Sequence, residues 1–384
     1  PTHSLHRRQR QMCIRDRTLG RVAIIGGGIF VALLNMLMFE GVGDLAEQDK
    51  VRIYIDIYQI ALLIPVISVL GVTLGGLLKI RDTWRLVRKG FEWKEAWEMV
   101  RGRIERTAPN WWILGGSLLF VVFTITMGLS DISYNQEIIF LGSMAIVLFL
   151  MFRLVRVLEP EARRLLLGTA IIIFVYRAMP GPGPGSTWWM IDELGFDQHF
   201  LSVLSVISSS LALFGMFIFR RFMAEKSIAY IMVFLTIIST ALTLPIVGMY
   251  YGLHEWTAVH TGGIVDARFI ALVDTALESP LGQVAMIPML AWIANSAPAN
   301  LKATFFAVMA SFTNLALSLA QLGTKYLTEF VTVSREVKDA ATGAVIVHAD
   351  YSELGILLIS ATVITFVLPI VAVVLVLGAR LKTA

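Results

Sequence analysis

The sequence is poor in charge and in cysteine. Asp, Glu, Lys and Arg make up 16% of its 384 residues and hydrophobic residues 57%, whereas about a quarter of an average soluble chain is charged. Most of the surface must therefore face lipid, which excludes a soluble globular protein. The single cysteine, Cys13, excludes a disulfide framework and any multi-cysteine metal site.

The sequence also lacks the motifs of an enzyme or of an ATP-driven pump. It has no Ser/His/Asp or Cys/His arrangement, no metal-ligand spacing and no Walker motif. Residues 22–28 (VAIIGGG) imitate the opening of a dinucleotide-binding unit, but they run into another apolar helix rather than a second strand. We expect Gly26 to Gly28 to allow close helix packing instead. No enzyme activity, cofactor, metal or nucleic-acid partner is predicted.

Long apolar stretches are abundant. A membrane-crossing helix needs about 20 largely apolar residues. Ten stretches qualify: Val22 to Phe39, Ile57 to Leu78, Trp112 to Leu129, Ile138 to Phe152, Leu165 to Trp189, Phe200 to Phe219, Ile228 to Tyr251, Phe269 to Ala294, Thr304 to Leu322 and Leu354 to Gly378. The fifth is interrupted by the run PGPGPG at 180–185.

The distribution of basic residues predicts the orientation of these spans. Cytoplasmic loops carry an excess of Lys and Arg. With the N-terminus inside, 25 of the 32 Lys and Arg residues lie on the cytoplasmic side, and the opposite orientation reverses that bias. Both termini are therefore expected in the cytoplasm.

A weak internal repeat suggests how the spans are grouped. Thr18 to Asn35 and Lys302 to Gln321 each have a basic residue at the cytoplasmic end, followed by small residues and then by an Asn well inside the bilayer. If the match is real, the first span is the fifth helix of a six-helix bundle, and four helices precede it in the complete protein. A twelve-helix protein without its first two spans is the competing count.

These observations divide the chain into five parts. Residues 1–17 are read as a non-native or disordered basic tail, with a native cytosolic tail as the alternative. Residues 18–78 are the remnant of an N-terminal helical bundle, and residues 79–110 are a cytoplasmic amphipathic linker that lies along the headgroups or joins two bundles. Residues 111–153 form an extra transmembrane hairpin, and residues 154–384 form a complete C-terminal six-helix bundle.

Three charged side chains lie at bilayer depth. Arg177 is twelve residues beyond Leu165, about 18 Å into the membrane at 1.5 Å per residue. Asp274 and Glu278 are four residues apart and share one helix face. A charge at the bilayer centre costs about 2.5–3.5 kcal/mol, so such residues normally face a bundle interior or a cavity.

Two readings of these charges stay open. Arg177, with its neighbour Tyr176, forms an anion clamp, or it pairs with an acidic residue to hold the bundle together. Asp274 and Glu278 carry a coupling proton, or they are hydrated carboxylates without that role. Gln283 and Asn314 line the substrate path or connect helices.

Three segments carry a resemblance to a known family. They are PGSTWWMIDELGFDQHF at 184–200, FIALVDTALESPLGQVAMIPML at 269–290 and APANLKATFFAVMASFTN at 297–314. In these segments the chain resembles the folate–biopterin transporter family of the major facilitator superfamily. The PGPGPG run and the hairpin of Trp112 to Phe152 depart from the family pattern.

The resemblance implies an all-α membrane protein with major facilitator-type bundles, ten transmembrane helices being present and the N-terminal bundle incomplete. It implies a transporter that moves a small organic anion, such as a folate or pterin, together with protons. We expect a monomer in the lipid bilayer of a bacterial inner (plasma) membrane. The alternatives are a non-transporting assembly factor and a permease for another solute, such as muropeptides.

Overall fold

A computed structural model describes residues 21–39, 47–101, 110–296, 302–339, 344–379, 381 and 383. The tail at 1–17 and part of the linker lie outside these residues. Within them the chain is almost entirely helical. The α-helices are α1 Arg21–Met38, α2 Glu47–Ala61, α3 Leu63–Val87, α4 Trp93–Arg101, α5 Trp111–Gly128, α6 Asn135–Val155, α7 Pro160–Arg177, α8 Gly185–Asp192, α9 Gln198–Ile218, α10 Arg220–Glu225, α11 Ile228–Tyr250, α12 Leu253–His260, α13 Ala267–Glu278, α14 Met286–Ser296, α15 Lys302–Phe330 and α16 Leu354–Gly378.

Nine stretches of helix among the described residues are long and apolar enough to cross a membrane. They overlap nine of the ten spans expected from the sequence, so the chain is an all-α membrane protein. The remaining expected span, the fifth, Leu165 to Trp189, is interrupted where the sequence predicts. It consists of α7 and α8, which are joined by a non-helical segment through the PGPGPG run.

Local sequence explains where several of these helices begin. The side chains of Asp197, Ser227 and Asp266 precede α9, α11 and α13, and each accepts a hydrogen bond from a backbone N–H in the first turn. Such caps satisfy N–H groups that have no partner inside the helix. Pro160 begins α7, where its missing N–H costs nothing.

The linker and a small sheet complete the described elements. The linker contains the end of α3 and the short helix α4, which are separated at Gly90 with a φ of +100°. The edge-to-face contact of Trp84 with Trp93 packs the two helices together. A small antiparallel sheet of β1 Val337–Lys338 and β2 Val345–Val347 lies between α15 and α16. Strands this short leave no alternating pattern in the sequence.

The hairpin of α5 and α6 is built into the same core as the C-terminal helices. Buried residues of α6, including Leu150 and Leu154, belong to one hydrophobic cluster with Ile173 of α7, Met289 of α14 and Phe305 of α15. At its other end, Glu137 of α6 accepts hydrogen bonds from α15. The hairpin therefore packs as part of the C-terminal bundle.

Candidate functional site

Two helices of the bundle are interrupted part of the way along their spans. α7 ends at Arg177 before the PGPGPG segment, and α13 ends at Glu278 before a 3₁₀ turn at Ser279–Leu281 and the start of α14. Arg177 is seventeen residues beyond the first residue of α7, and Glu278 is eleven beyond that of α13. These positions lie about 25 Å and 17 Å along their helices. Helices interrupted within their spans are typical of transporter binding sites.

Helix α15 satisfies the backbone at the first interruption. The N–H of Gly181 donates to Thr324 Oγ1 at 2.9 Å. Gly183 has a φ of +69°, a conformation that other residues rarely adopt. A β-carbon on Gly323 would lie 3.2 Å from Pro180. Because lipid offers no hydrogen bonds, a broken helix needs such protein partners, and α15 supplies them.

The guanidinium of Arg177 has only weak partners. Its Nη1 lies 3.3 Å from the sulfur of Met286 and 3.7 Å from that of Met289, and its Nη2 donates to Asn314 Oδ1 at 3.4 Å. Its Nε is buried and has no hydrogen-bond partner in the described part of the chain. Among the described residues, no carboxylate oxygen lies within 4.0 Å of this guanidinium. The reading in which Arg177 is paired with an acidic residue therefore has no support here.

Arg177 lies on the wall of a cavity of about 360 Å³. Tyr176 and Glu278 lie on the same wall, so the cavity brings together three of the six candidate residues. A volume of this size lies at the lower end of the range of about 300–1,000 Å³ for small-molecule sites. The other lining residues come from α7, α11, the 3₁₀ turn, α14 and α15 and include Ser239 and three methionines, Met232, Met286 and Met289.

The other three candidate residues do not line this cavity. Asn314 contacts it through its hydrogen bond to Arg177. Asp274 is one helical turn from Glu278, and its Oδ1 is buried without a hydrogen-bond partner. Gln283 lies in the turn before α14, and its Oε1 is likewise buried and unpartnered.

Ser239 and the three methionines were not anticipated from the sequence. Ser239 lies eleven residues into α11, so its position in the middle of an apolar span was a usable signal. The methionines gave none, because methionine is an ordinary residue of apolar helices.

A second, larger cavity of about 800 Å³ lies between α1, α3 and α9. α9 lines it with Gln198, Ser202, Ser205 and Ser209, and α1 contributes Asn35. Gly27 and Gly28 also line it, and a β-carbon on any of Gly26 to Gly28 would meet no atom within 4 Å. The expectation of close packing at these glycines is therefore wrong: within the described residues they border open space.

A hydrogen-bonded cluster joins α8 to the segment that contains the β-sheet. It lies at the end of the bundle opposite to the first residues of α7. Asp192 accepts two hydrogen bonds from Arg335, at 2.9 and 3.1 Å, and one from the Tyr351 hydroxyl at 2.5 Å. Arg335 lowers the pKa of Asp192, and the hydroxyl of Tyr351 lowers it further. Burial and the bond to Asp192 raise the pKa of Tyr351 to about 12.

Comparisons with a family model and with individual proteins point to the same family. A family model described as the BT1 family matches residues 29–383. A folate-biopterin transporter of Synechocystis sp. is 28% identical over 146 residues, which are 38% of this chain and 28% of that protein. The putative folate transporter 2 of Plasmodium berghei is 25% identical over 171 residues, which are 43% of this chain and 35% of that protein. No solved structure matches the chain.

Proposed function

Because the chain belongs to the BT1 family, we propose that it acts in a secondary active transporter that moves a folate or pterin anion together with protons. The observation that supports the proposal is Arg177, a guanidinium expected at mid-membrane depth that lines a cavity and has no carboxylate partner among the described residues. The two similar proteins are named a folate-biopterin transporter and a putative folate transporter 2. This chain matches only 28% and 35% of their lengths.

An uncompensated arginine at this depth favours an anionic solute. Its burial costs about 2.5–3.5 kcal/mol, and thioether sulfurs are weak hydrogen-bond acceptors that offset little of that cost. A carboxylate would accept two parallel hydrogen bonds from the planar guanidinium. We propose that the solute carboxylate takes the place of the contacts with Met286 and Met289, while Asn314 keeps the guanidinium oriented.

The remaining cavity wall suits a flat aromatic body. Met232, Met286 and Met289 present polarizable sulfurs, which make favourable contacts with aromatic rings. Tyr176 offers a ring on the same wall, and aromatic pairs are attractive in stacked and edge-to-face arrangements. A pterin ring would pack against the methionines and Tyr176, and a carboxylate group at some distance from the ring would reach Arg177.

Glu278 and Asp274 are the proposed proton carriers. Glu278 lies on the cavity wall with Arg177, and Asp274 lies one turn away on the same helix. Two carboxylates this close repel each other when both are charged, so one of them favours binding a proton. We propose that protonation of Glu278 accompanies solute entry, because a neutral carboxyl crosses the membrane interior at a lower free-energy cost than a charged one.

We propose alternating access in which the two interrupted helices allow the movement. We propose that the segments around Gly183 and Gln283 bend as the C-terminal bundle rocks against α1 to α3. The cavity between α1 and α9 would then be the opening that widens and narrows. This is the rocking motion of major facilitator-type carriers. We also propose the orientation expected above, with both termini cytoplasmic, and a monomer in a bacterial inner membrane.

The test is uptake of labelled folate into proteoliposomes with and without an inward proton gradient. We expect uptake to increase with the gradient. In Glu278→Gln the gradient should no longer stimulate uptake, whereas counterflow of folate without a gradient should persist. Asp266→Asn is a matched control, since Asp266 caps the start of α13 remote from the cavity. The absence of any pterin or folate flux through the folded protein would contradict the proposal and favour an assembly role.

A further inference from the structure

A third cavity, of about 520 Å³, lies between the end of α6 and the beginning of α7. It opens towards the lipid-facing surface, since Leu148 and Phe152 on its wall are 42% and 55% exposed. Met151, Val155 and Leu167 complete the apolar wall, and Arg156 and Arg163 lie at one end. Apolar walls below a basic mouth match the two halves of a phospholipid.

Within the described residues, the two arginines at the mouth are held by contacts other than carboxylates. Arg163 donates through Nη2 to the carbonyl of Arg156 at 3.4 Å, while its Nε is buried and lacks a hydrogen-bond partner. The guanidinium of Arg156 lies 4.2 Å from the ring centroid of Phe152, which fixes it over the apolar wall. Within the described part of the chain, no carboxylate oxygen lies within 4.0 Å of either guanidinium.

We propose that this groove binds an anionic phospholipid, with the phosphate between Arg156 and Arg163 and an acyl chain along Leu148 and Phe152. Basic pockets between transmembrane helices on the cytoplasmic side are suited to acidic headgroups. The connection between α6 and α7 is on that side in the orientation proposed above, which is the only part of the proposed function on which this inference depends. A free phosphate would leave the exposed apolar wall uncovered, so we commit to the lipid.

The experiment is lipid binding to the delipidated full chain in detergent, followed by native mass spectrometry. Phosphatidylglycerol should bind more tightly than phosphatidylcholine of the same chain length. Arg156→Gln combined with Arg163→Gln should weaken phosphatidylglycerol binding at least tenfold, since each basic side chain contributes about fivefold near an acidic headgroup. Arg220→Gln combined with Arg221→Gln removes the same charge on α10, outside the groove, and should leave binding unchanged.

A second variant separates the lipid from a free phosphate. Leu148→Trp narrows the apolar wall and keeps both arginines, so it should weaken phosphatidylglycerol binding. Inorganic phosphate at millimolar concentration should not displace the lipid. Two results would overturn the proposal: phosphatidylglycerol binding that survives loss of both guanidiniums, or displacement by phosphate together with no effect of Leu148→Trp. Thermal melting of each variant without lipid verifies that it is folded.

Discussion

Replacing Arg177 with Gln removes the proposed anion clamp and leaves a polar side chain that the cavity can hold. A hydrogen bond to a charged group contributes about 1.5–3 kcal/mol. Two such bonds to one carboxylate, at the lower figure, amount to about 3 kcal/mol, or roughly a hundredfold in Kd. The carboxylate displaces only weak contacts of the guanidinium, because its present partners are two thioether sulfurs and an amide oxygen at 3.4 Å. Arg177→Lys keeps the charge without the planar guanidinium, and it should weaken binding of the carboxylate ligand about tenfold.

The assay is calorimetric binding to the protein in lipid nanodiscs, with two ligands. Folate carries glutamate carboxylates, and a neutral pterin without that tail serves as the matched control. Arg177→Gln should weaken folate binding and leave neutral pterin binding unchanged. Equal losses for both ligands would refute the clamp, because a distorted cavity would affect the ring as much as the tail.

A stability measurement provides the second check on the same substitution. Removing one partner of a buried ion pair typically destabilises a protein by about 3–5 kcal/mol, because the other charge is left unpaired. Arg177 has no carboxylate partner among the described residues, so Arg177→Gln should leave the thermal melting temperature unchanged or raise it. A large fall would indicate that the guanidinium holds the bundle together.

Three further predictions concern packing and the end of the bundle. Gly215→Ala should destabilise the protein by about 1–3 kcal/mol in thermal unfolding, because a β-carbon would overlap the backbone of the 3₁₀ turn, while Gly115→Ala has open space and should not. Asp192→Asn should lower stability by about 1 kcal/mol through the loss of the charged hydrogen bonds from Arg335. Glu137→Gln should loosen the hairpin and increase hydrogen exchange in α5 and α6, since it weakens two bonds to α15.

The contribution of Asp192 also has a defined pH dependence. Its pKa is lowered in the folded protein, chiefly by the hydrogen bonds from Arg335. The folded state therefore releases this proton more readily than the unfolded state, and the stabilisation is fully present above the ordinary pKa of about 3.9. It should be lost as the pH falls through the lowered value. In Asp192→Asn this loss of stability at acid pH should be absent. A dependence of stability on pH that is the same in the variant and the original protein would contradict the role of Asp192.

The overall fold was largely readable from the sequence. Stretches such as Ile228 to Tyr251 and Leu354 to Gly378 are continuous apolar runs, and the structure has α11 and α16 there with nearly the same ends. The break between α7 and α8 was also readable, because the run PGPGPG at 180–185 interrupts that apolar stretch. The short strands near Val337 were not readable, since they have no pattern of their own.

The candidate site was only partly readable. Charge at bilayer depth indicated Arg177 and Glu278 one residue at a time, and both lie on the same cavity wall. Nothing in the sequence indicated that the nearest partners of Arg177 would be Met286 and Met289 rather than a carboxylate. These methionines are more than a hundred residues away in the chain, and methionine gives no chemical signal in an apolar helix.

The sequence by itself determined that this is a helical membrane protein, where most of its spans lie and which ionisable groups lie within them. The reason is that hydrocarbon excludes charge and unpaired backbone groups, so each span must be apolar, and each exception stands out one residue at a time. The tertiary structure decided which exceptions share a cavity and which lack a counter-charge. Those properties depend on distances between helices that are remote in the chain, and the periodicity of a single helix carries no information about them.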